Sequence, residues 1–239
     1  MTRKAIIIGN PGENGAENYC AGVLKDVENF KTYLTSLRGG SWYDDEISTL
    51  MKPNKITLNK ALQSLNGIDY TFIAFCGHGY SWREETMLEL STGYEINANE
   101  LKTGAIKRTI ILDSCRKELY RLDSIIEKRA VLEHYAINAA MSSRRDFDNA
   151  VSESPNGIVL INSCAYNEVA SDLDKYGGLY CYNYIKYAIE YDLPSDKYLT
   201  VVAVHNATSE IVKKNSAMNQ NPTIEKPRSM PYFPFAIGV

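Results

Sequence analysis

Apolar residues follow two different periods along this chain. Short unbroken apolar runs occur in "KAIIIGN" (4–10), "DYTFIAFCGHG" (69–79), "KRTIILDSC" (107–115) and "NGIVLINSCA" (156–165). Runs of this length without polar alternation predict strands buried on both faces. "EISTLMK" (46–52) predicts a shorter strand. Between the runs the spacing becomes helical. Val23, Leu24, Val27, Phe30, Tyr33, Leu34 and Leu37 place an amphipathic helix over 23–37, and "KITLNKALQSLN" (55–66) a second one, with Thr57 as its cap. "MLELSTGYEINANELKTG" reads as a hairpin or loop and then a short helix from Asn97. Residues 116–150 are polar and helix-prone. "GGLYCYNYIKYAIEYD" (177–192) predicts an aromatic-rich helix, and "YLTVVAVHNATSEIVKK" (198–214) begins like a strand and continues as a helix. The Tyr176, Tyr180, Tyr182, Tyr184 and Tyr187 cluster is most simply that aromatic helix packing on a sheet. "YFPFAIGV" predicts a final edge strand.

Strands alternating with helices imply βαβ units and a parallel sheet covered on both faces. No linker, composition shift, repeat or low-complexity tract divides the 239 residues, so the chain reads as one domain. Composition adds exclusions. The formal net charge of −3 offers no basic excess for nucleic acid or anionic lipid. No apolar run approaches the roughly 18 residues of a membrane span. "AIIIGN" falls short of a signal-peptide core of about 7–15 residues and lacks an A-x-A site, so the expected location is the cytoplasm. The five cysteines are odd in number and contain no C-x-x-C pair, which argues against a zinc knuckle or thioredoxin motif and for free thiols. Cys20, Cys164 and Cys181 read as core or loop residues, and His205 and His134 as structural or surface ones.

Candidate chemistry appears at two strand ends. In open parallel sheets, ligands bind at the carboxyl edge. Only three histidines occur in the chain, and His78 sits between two glycines at the end of "IAFCG". Cys115 ends "IILDS". If these strands are neighbours, a spacing of roughly 4.8 Å lets thiol and imidazole interact. The imidazole could then remove the thiol proton or hold a thiolate as an ion pair, and later protonate a leaving amine. No metal is required. The N–H groups of Gly79 and Cys115 are candidates for an oxyanion hole. The bland alternatives are an inert buried cysteine and a capping histidine in an ordinary turn.

The pair "AFCGHG" and "IILDSC" resembles the caspase-like cysteine peptidases, metacaspases and bacterial orthocaspases more than animal caspases. The likeness runs nearly end to end, through "AIIIGN…AGVLKDVENFKTYL" and "NGIVLINSCAYNEVASD…GGLYCYNYIKYAI". It implies a three-layer α/β/α fold, with a mostly parallel six-stranded sheet and an antiparallel edge strand. Residues 1–150 would be large-subunit-like and 151–239 small-subunit-like. The animal signature Q-A-C-x-G is absent, since the chain reads Asp113-Ser114-Cys115-Arg116-Lys117, and the metacaspase Cys-His-Ser-Gly is absent too. The resemblance assigns Asp113 and Asp26 to an S1 pocket that receives Arg or Lys, with Cys76 lining it. Two carboxylates in one pocket favour a cationic partner, bidentately for arginine. The plainer readings are a helix cap for Asp113 and a solvated helix face for Asp26. Many metacaspases require calcium. Asp123, Asp172 and Asp174 are too scattered to argue a site, so no cofactor is assigned and calcium activation is left open.

Arg144 and Arg145 in "SSRRDFD" (142–148) could be a self-cleavage site, but the spacing of Phe147 and Val151 favours an ordinary helix with a buried face. The expected function is a cytoplasmic cysteine endopeptidase acting on proteins with a basic P1 residue. The expected mode of control is a regulatory partner protein, an ion or autocleavage, because no pro-segment or sensor is visible. Compact peptidases of this kind resemble those of bacterial defence and regulated cell-death systems. The competing readings are a catalytically silent caspase-like scaffold and a flavodoxin-type binding protein. The latter is weakened because "GNPGENG" is not followed by Gly-Lys-Ser/Thr.

Overall fold

A computed structural model describes residues 1–116, 137–173, 175–217 and 219–239. Its main sheet is formed by β1 (Arg3–Asn10), β2 (Ile47–Met51), β3 (Tyr70–Gly77), β7 (Lys107–Asp113), β8 (Gly157–Asn162) and β10 (Thr223–Glu225), in the order β10-β8-β7-β3-β1-β2. All neighbours are parallel except β10, which runs antiparallel on β8. The three strands β4 (Gly79–Trp82), β5 (Glu85–Ser91) and β6 (Tyr94–Asn97) form a separate antiparallel sheet. The described helices are α1 (Gly22–Thr35), α2 (Lys55–Gln63), α3 (Ile137–Glu153), α4 (Leu179–Glu190) and α5 (Val201–Asn215).

The unbroken apolar runs have the meaning that two-sided burial requires. Ala5, Ile7, Phe72, Ala74, Cys76 and Ile111 face one way, into a core shared with α1, α3, α4 and α5. Ile6, Ile8, Ile73, Phe75, Ile110 and Leu112 face the other, against Leu58 of α2 and Leu88 and Leu90 of β5. Successive side chains alternate across a strand, so each central strand must be apolar at every position. This is a three-layer α/β/α fold.

Three details differ from the sequence reading. The segment "YFPFAIGV" does supply a strand, β11 (Pro234–Ile237), but it pairs with β9 (Tyr198–Thr200) away from the main sheet. The antiparallel edge of the main sheet is instead Thr223–Glu225, a run of three residues too short to show a period. Asn54, not Thr57, caps α2: its side chain accepts the Thr57 N–H at 2.9 Å. The strand Gly79–Trp82, directly after the histidine, was not anticipated.

Candidate active site

Parallel pairing of β3 with β7 sets Cys76 directly across from Asp113. Both side chains lie on the sheet face covered by α1 and α4, because Cys76 shares its parity with Ala74 and Asp113 shares its parity with Ile111. His78 and Cys115 each stand two residues beyond that pair, on the same carboxyl edge. Gly77 lets the chain leave the sheet there. Its φ is +151°, and a Cβ would lie 2.5 Å from the Asn10 carbonyl on the neighbouring strand.

The His78 ring turns one edge toward Gly12. A Cβ on Gly12 would be 2.9 Å from Nε2, and Nε2 is buried with no hydrogen-bond partner. The same ring borders a cleft of about 270 Å³ that Asn10, Glu13, Glu89 and Glu95 also line. The Gly79 backbone runs close to the cysteine loop, since a Cβ there would meet Ser114 Oγ at 2.9 Å. The Glu89 N–H donates to His78 O at 3.0 Å, and Gly79 pairs with Leu88. Alternation in an antiparallel ladder then makes Gly79–Leu88 a non-hydrogen-bonded pair, whose Gly79 N–H points away from β5.

The loop after the cysteine is tied on both sides. Ser81 Oγ donates to Arg116 O at 2.7 Å, Arg116 Nε to Thr86 Oγ1 at 3.0 Å, and the Arg116 N–H to Glu168 O at 2.8 Å. Cys115 Sγ donates to Ala170 O at 3.6 Å rather than to His78. Burial pushes the Cys115 thiol up, and the nearby Asp113 and Asp172 carboxylates push it the same way against that hydrogen bond. These influences disfavour the thiolate in this geometry.

Asp26, Cys76 and Asp113 come together, and none is more than 6% exposed. Asp26 is a core residue and not part of a solvated helix face. Both of its oxygens accept the Gly178 N–H, at 3.0 and 2.9 Å, and Asp113 Oδ2 accepts the Cys181 N–H at 3.3 Å. The N-terminus of α4 thus holds both carboxylates. Burial raises both acids, and Asp113 and Asp172 raise Asp26 further by like-charge repulsion. Sequence reasoning missed two members of this group. Cys181 is a core residue, as expected, but its thiol also hydrogen-bonds with Cys76, which the sequence does not show. Asp172, half-buried, accepts the Gly22 N–H at 3.2 Å and lies within electrostatic reach of Asp26 and Cys115.

Comparison with known proteins now has a geometry to refer to. A family model described as the caspase domain, Peptidase_C14, matches residues 2–233. The chain belongs to the caspase-domain family. Among solved structures, caspase-1 from Spodoptera frugiperda superposes with a TM-score of 0.61 at 14% identity, covering 94% of this chain and 86% of that one. At that identity the likeness concerns the fold. No curated protein gives a significant sequence match. Membership implies a cysteine peptidase acting on protein substrates. No helix among the described residues is long and apolar enough to cross a membrane.

Other candidates separate clearly. None of the five cysteines forms a disulfide within the described residues. His205 is buried between Tyr180 OH (2.8 Å) and Ser209 Oγ (3.2 Å), well inside the α4–α5 packing. Arg144 lies in α3 and pairs with Glu46, while Phe147 and Val151 of the same helix are buried, as their spacing predicts. His134, Lys117, Asp123 and Asp174 lie outside the described residues.

Proposed function

We propose that this caspase-domain protein is an orthocaspase-like endopeptidase that cleaves polypeptides after Arg or Lys, with Cys115 as nucleophile and His78 as general base. The observation that carries the reading is the β3–β7 register. It fixes Cys76 opposite Asp113, and one step of two residues along each chain reaches the two reactive side chains.

Because the half-buried Cys115 sulfur is turned to Ala170 O and its surroundings disfavour the thiolate, the general-base route is favoured over a preformed ion pair. A rotation of the Cys115 side chain away from Ala170 O brings Sγ toward His78 Nδ1, which takes its proton as sulfur attacks the scissile carbonyl. The Gly79 and Cys115 N–H groups receive the oxyanion. The imidazolium returns the proton to the leaving amine, so a thioester and a free amine result. Water, deprotonated by the same imidazole, then releases the carboxylic acid and restores the thiol. Asp26 and Asp113 receive the P1 cation, Cys76 forms part of the wall, and Asp172 adds negative charge on the Cys115 side.

The test is a fluorogenic panel carrying Arg, Lys, Asp or Leu at P1, with an Arg-chloromethylketone as label. Arg and Lys turnover with the label on Cys115 is expected. Preference for Asp overturns the pocket. One observation favours a second reading, a catalytically silent scaffold: the thiol is turned to Ala170 O. Failure of the label to react, with the protein folded, supports that alternative.

A further inference from the structure

Asp26 from α1, Cys76 from β3 and Cys181 from α4 place one carboxylate oxygen and two sulfurs within 4.8 Å of one another. All three residues are at most 2% exposed. The fourth neighbour is Asp113, whose carboxylate accepts hydrogen bonds from the Cys181 thiol and backbone. Among the described residues, none of the ion pairs involves Asp26 or Asp113. The cluster is therefore enclosed and rich in ligand atoms, with no cationic side chain paired to its carboxylates among the described residues.

We propose that Asp26, Cys76, Cys181 and Asp113 form a site for a soft divalent metal ion of the zinc class, and that the metal and a substrate's P1 base exclude each other there. Two thiolates select zinc over calcium or magnesium, which take oxygen ligands. Zinc bound at about 2.3 Å to sulfur and about 2.0–2.2 Å to oxygen in a tetrahedron leaves ligand atoms about 3.5 Å apart, so the three groups within 4.8 Å must contract by about 1.3 Å at most, and Asp113, outside that limit, must move further. Thiol protons leave to solvent as the metal binds.

The outer groups suit this use. The Gly178 N–H on Asp26 and the Cys181 N–H on Asp113 are the hydrogen bonds that orient ligating carboxylates. Asp172, within electrostatic reach of Asp26 and Cys115, adds a further carboxylate that favours a cation there. The ligand set excludes Cys115 and His78. The mutual exclusion with substrate, unlike metal binding itself, rests on the proposed S1 role of the two aspartates.

The test titrates the metal-free full chain with cobalt(II), as wild type, Cys115→Ala, Cys76→Ser and Cys181→Ser. Expected is one equivalent bound with a two-thiolate charge-transfer band in wild type and Cys115→Ala, and at least a tenfold loss of affinity in each serine variant. No thiolate band, or a band lost in Cys115→Ala, overturns the site. Should the serine variants misfold, zinc-edge X-ray absorption on wild type decides: two sulfur scatterers support the site, and one sulfur with imidazole nitrogen overturns it. These readouts stand even if no peptide is cleaved. On an active enzyme, zinc should raise KM for Arg substrates and leave Cys115 open to iodoacetamide. Zinc that lowers kcat and protects Cys115 points to the dyad and overturns the exclusion.

Discussion

Replacing Asp113 by Asn is the most informative single change, because it keeps shape and removes charge. In the structure, Asp113 Oδ2 accepts the Cys181 N–H. The Asn amide oxygen can keep that bond, so α4 stays docked, while its NH₂ replaces an acceptor in the pocket. An incoming P1 guanidinium then meets a donor where it had a carboxylate. A hydrogen bond between charged groups contributes about 1.5–3 kcal/mol. At about 1.4 kcal/mol per tenfold, the expected loss in kcat/KM for Arg substrates is about ten- to a hundredfold. Asp26→Asn should lose a similar factor. The two acids are neighbours in one cluster, so their effects should not multiply, and a double-mutant cycle should show coupling of about 0.5–3 kcal/mol. Removing one member of a buried like-charged pair relieves repulsion, so neither single variant should melt below wild type. The assay is the P1 panel with thermal denaturation alongside. Unchanged Arg rates in both variants refute the pocket. An equal loss on Arg and Leu substrates refutes it differently, by making Asp113 a prop for the cysteine loop.

Four further outcomes follow from the geometry. Cys115→Ala should lose essentially all turnover at unchanged stability, and activity within about tenfold of wild type would exclude it as nucleophile. His78→Ala should be equally inactive, because both proton transfers use that ring; a fully active variant would move the base elsewhere. Gly12→Ala forces a side chain onto φ +86° and sets a methyl 2.9 Å from His78 Nε2. Displacing the ring by about an ångström should lower kcat about a hundredfold with KM little changed, and an unaffected kcat would count against the assigned orientation. His205, 3% exposed, has its pKa lowered by burial from 6.5 to about 4, with Lys213 pushing the same way. The unfolded chain takes up that proton first, so stability held above pH 6.5 falls as acid is added toward pH 4, by about 3 kcal/mol at the limit. Denaturant unfolding of His205→Gln should show a flatter pH dependence across that window, and an identical slope would refute the assignment.

The central strands were legible because burial on both faces leaves nothing polar to interrupt the run, as in "AIIIG" and "TIILD". The placement of His78 and Cys115 on one edge was legible for a related reason: parallel strands end on one edge, so residues following two such runs are directed to the same place. What could not be read depends on contacts between elements far apart in the chain. Thr223–Glu225 is a strand only because β8 offers it an edge. Asp172 is placed by Gly22, 150 residues away. Cys181 looks like any small buried residue of an aromatic helix until β3 and α1 are packed against it.

The glycine pair before α4 contains the signal that sequence reasoning passed over. The sequence shows Gly177 and Gly178 only as the start of the segment that predicts an aromatic-rich helix. A Cβ on Gly177 would strike the Asp26 carboxylate, and a Cβ on Gly178 the Asp113 carboxylate. Burying two carboxylates side by side is costly unless donors replace the lost water. Here the donors are backbone N–H groups at the start of a helix, which can approach that closely only where side chains are missing. His78 and Cys115 depend on the strand ends and the loops tied to them, whereas the proposed pocket needs the strands, α1 and a bare helix N-terminus together. A methyl at Gly178 should therefore leave the dyad in place and remove the pocket. Gly178→Ala is expected to keep reactivity toward a small uncharged thiol reagent at Cys115 while losing Arg turnover about tenfold or more. Equal loss of both would show that α4 supports the nucleophile directly.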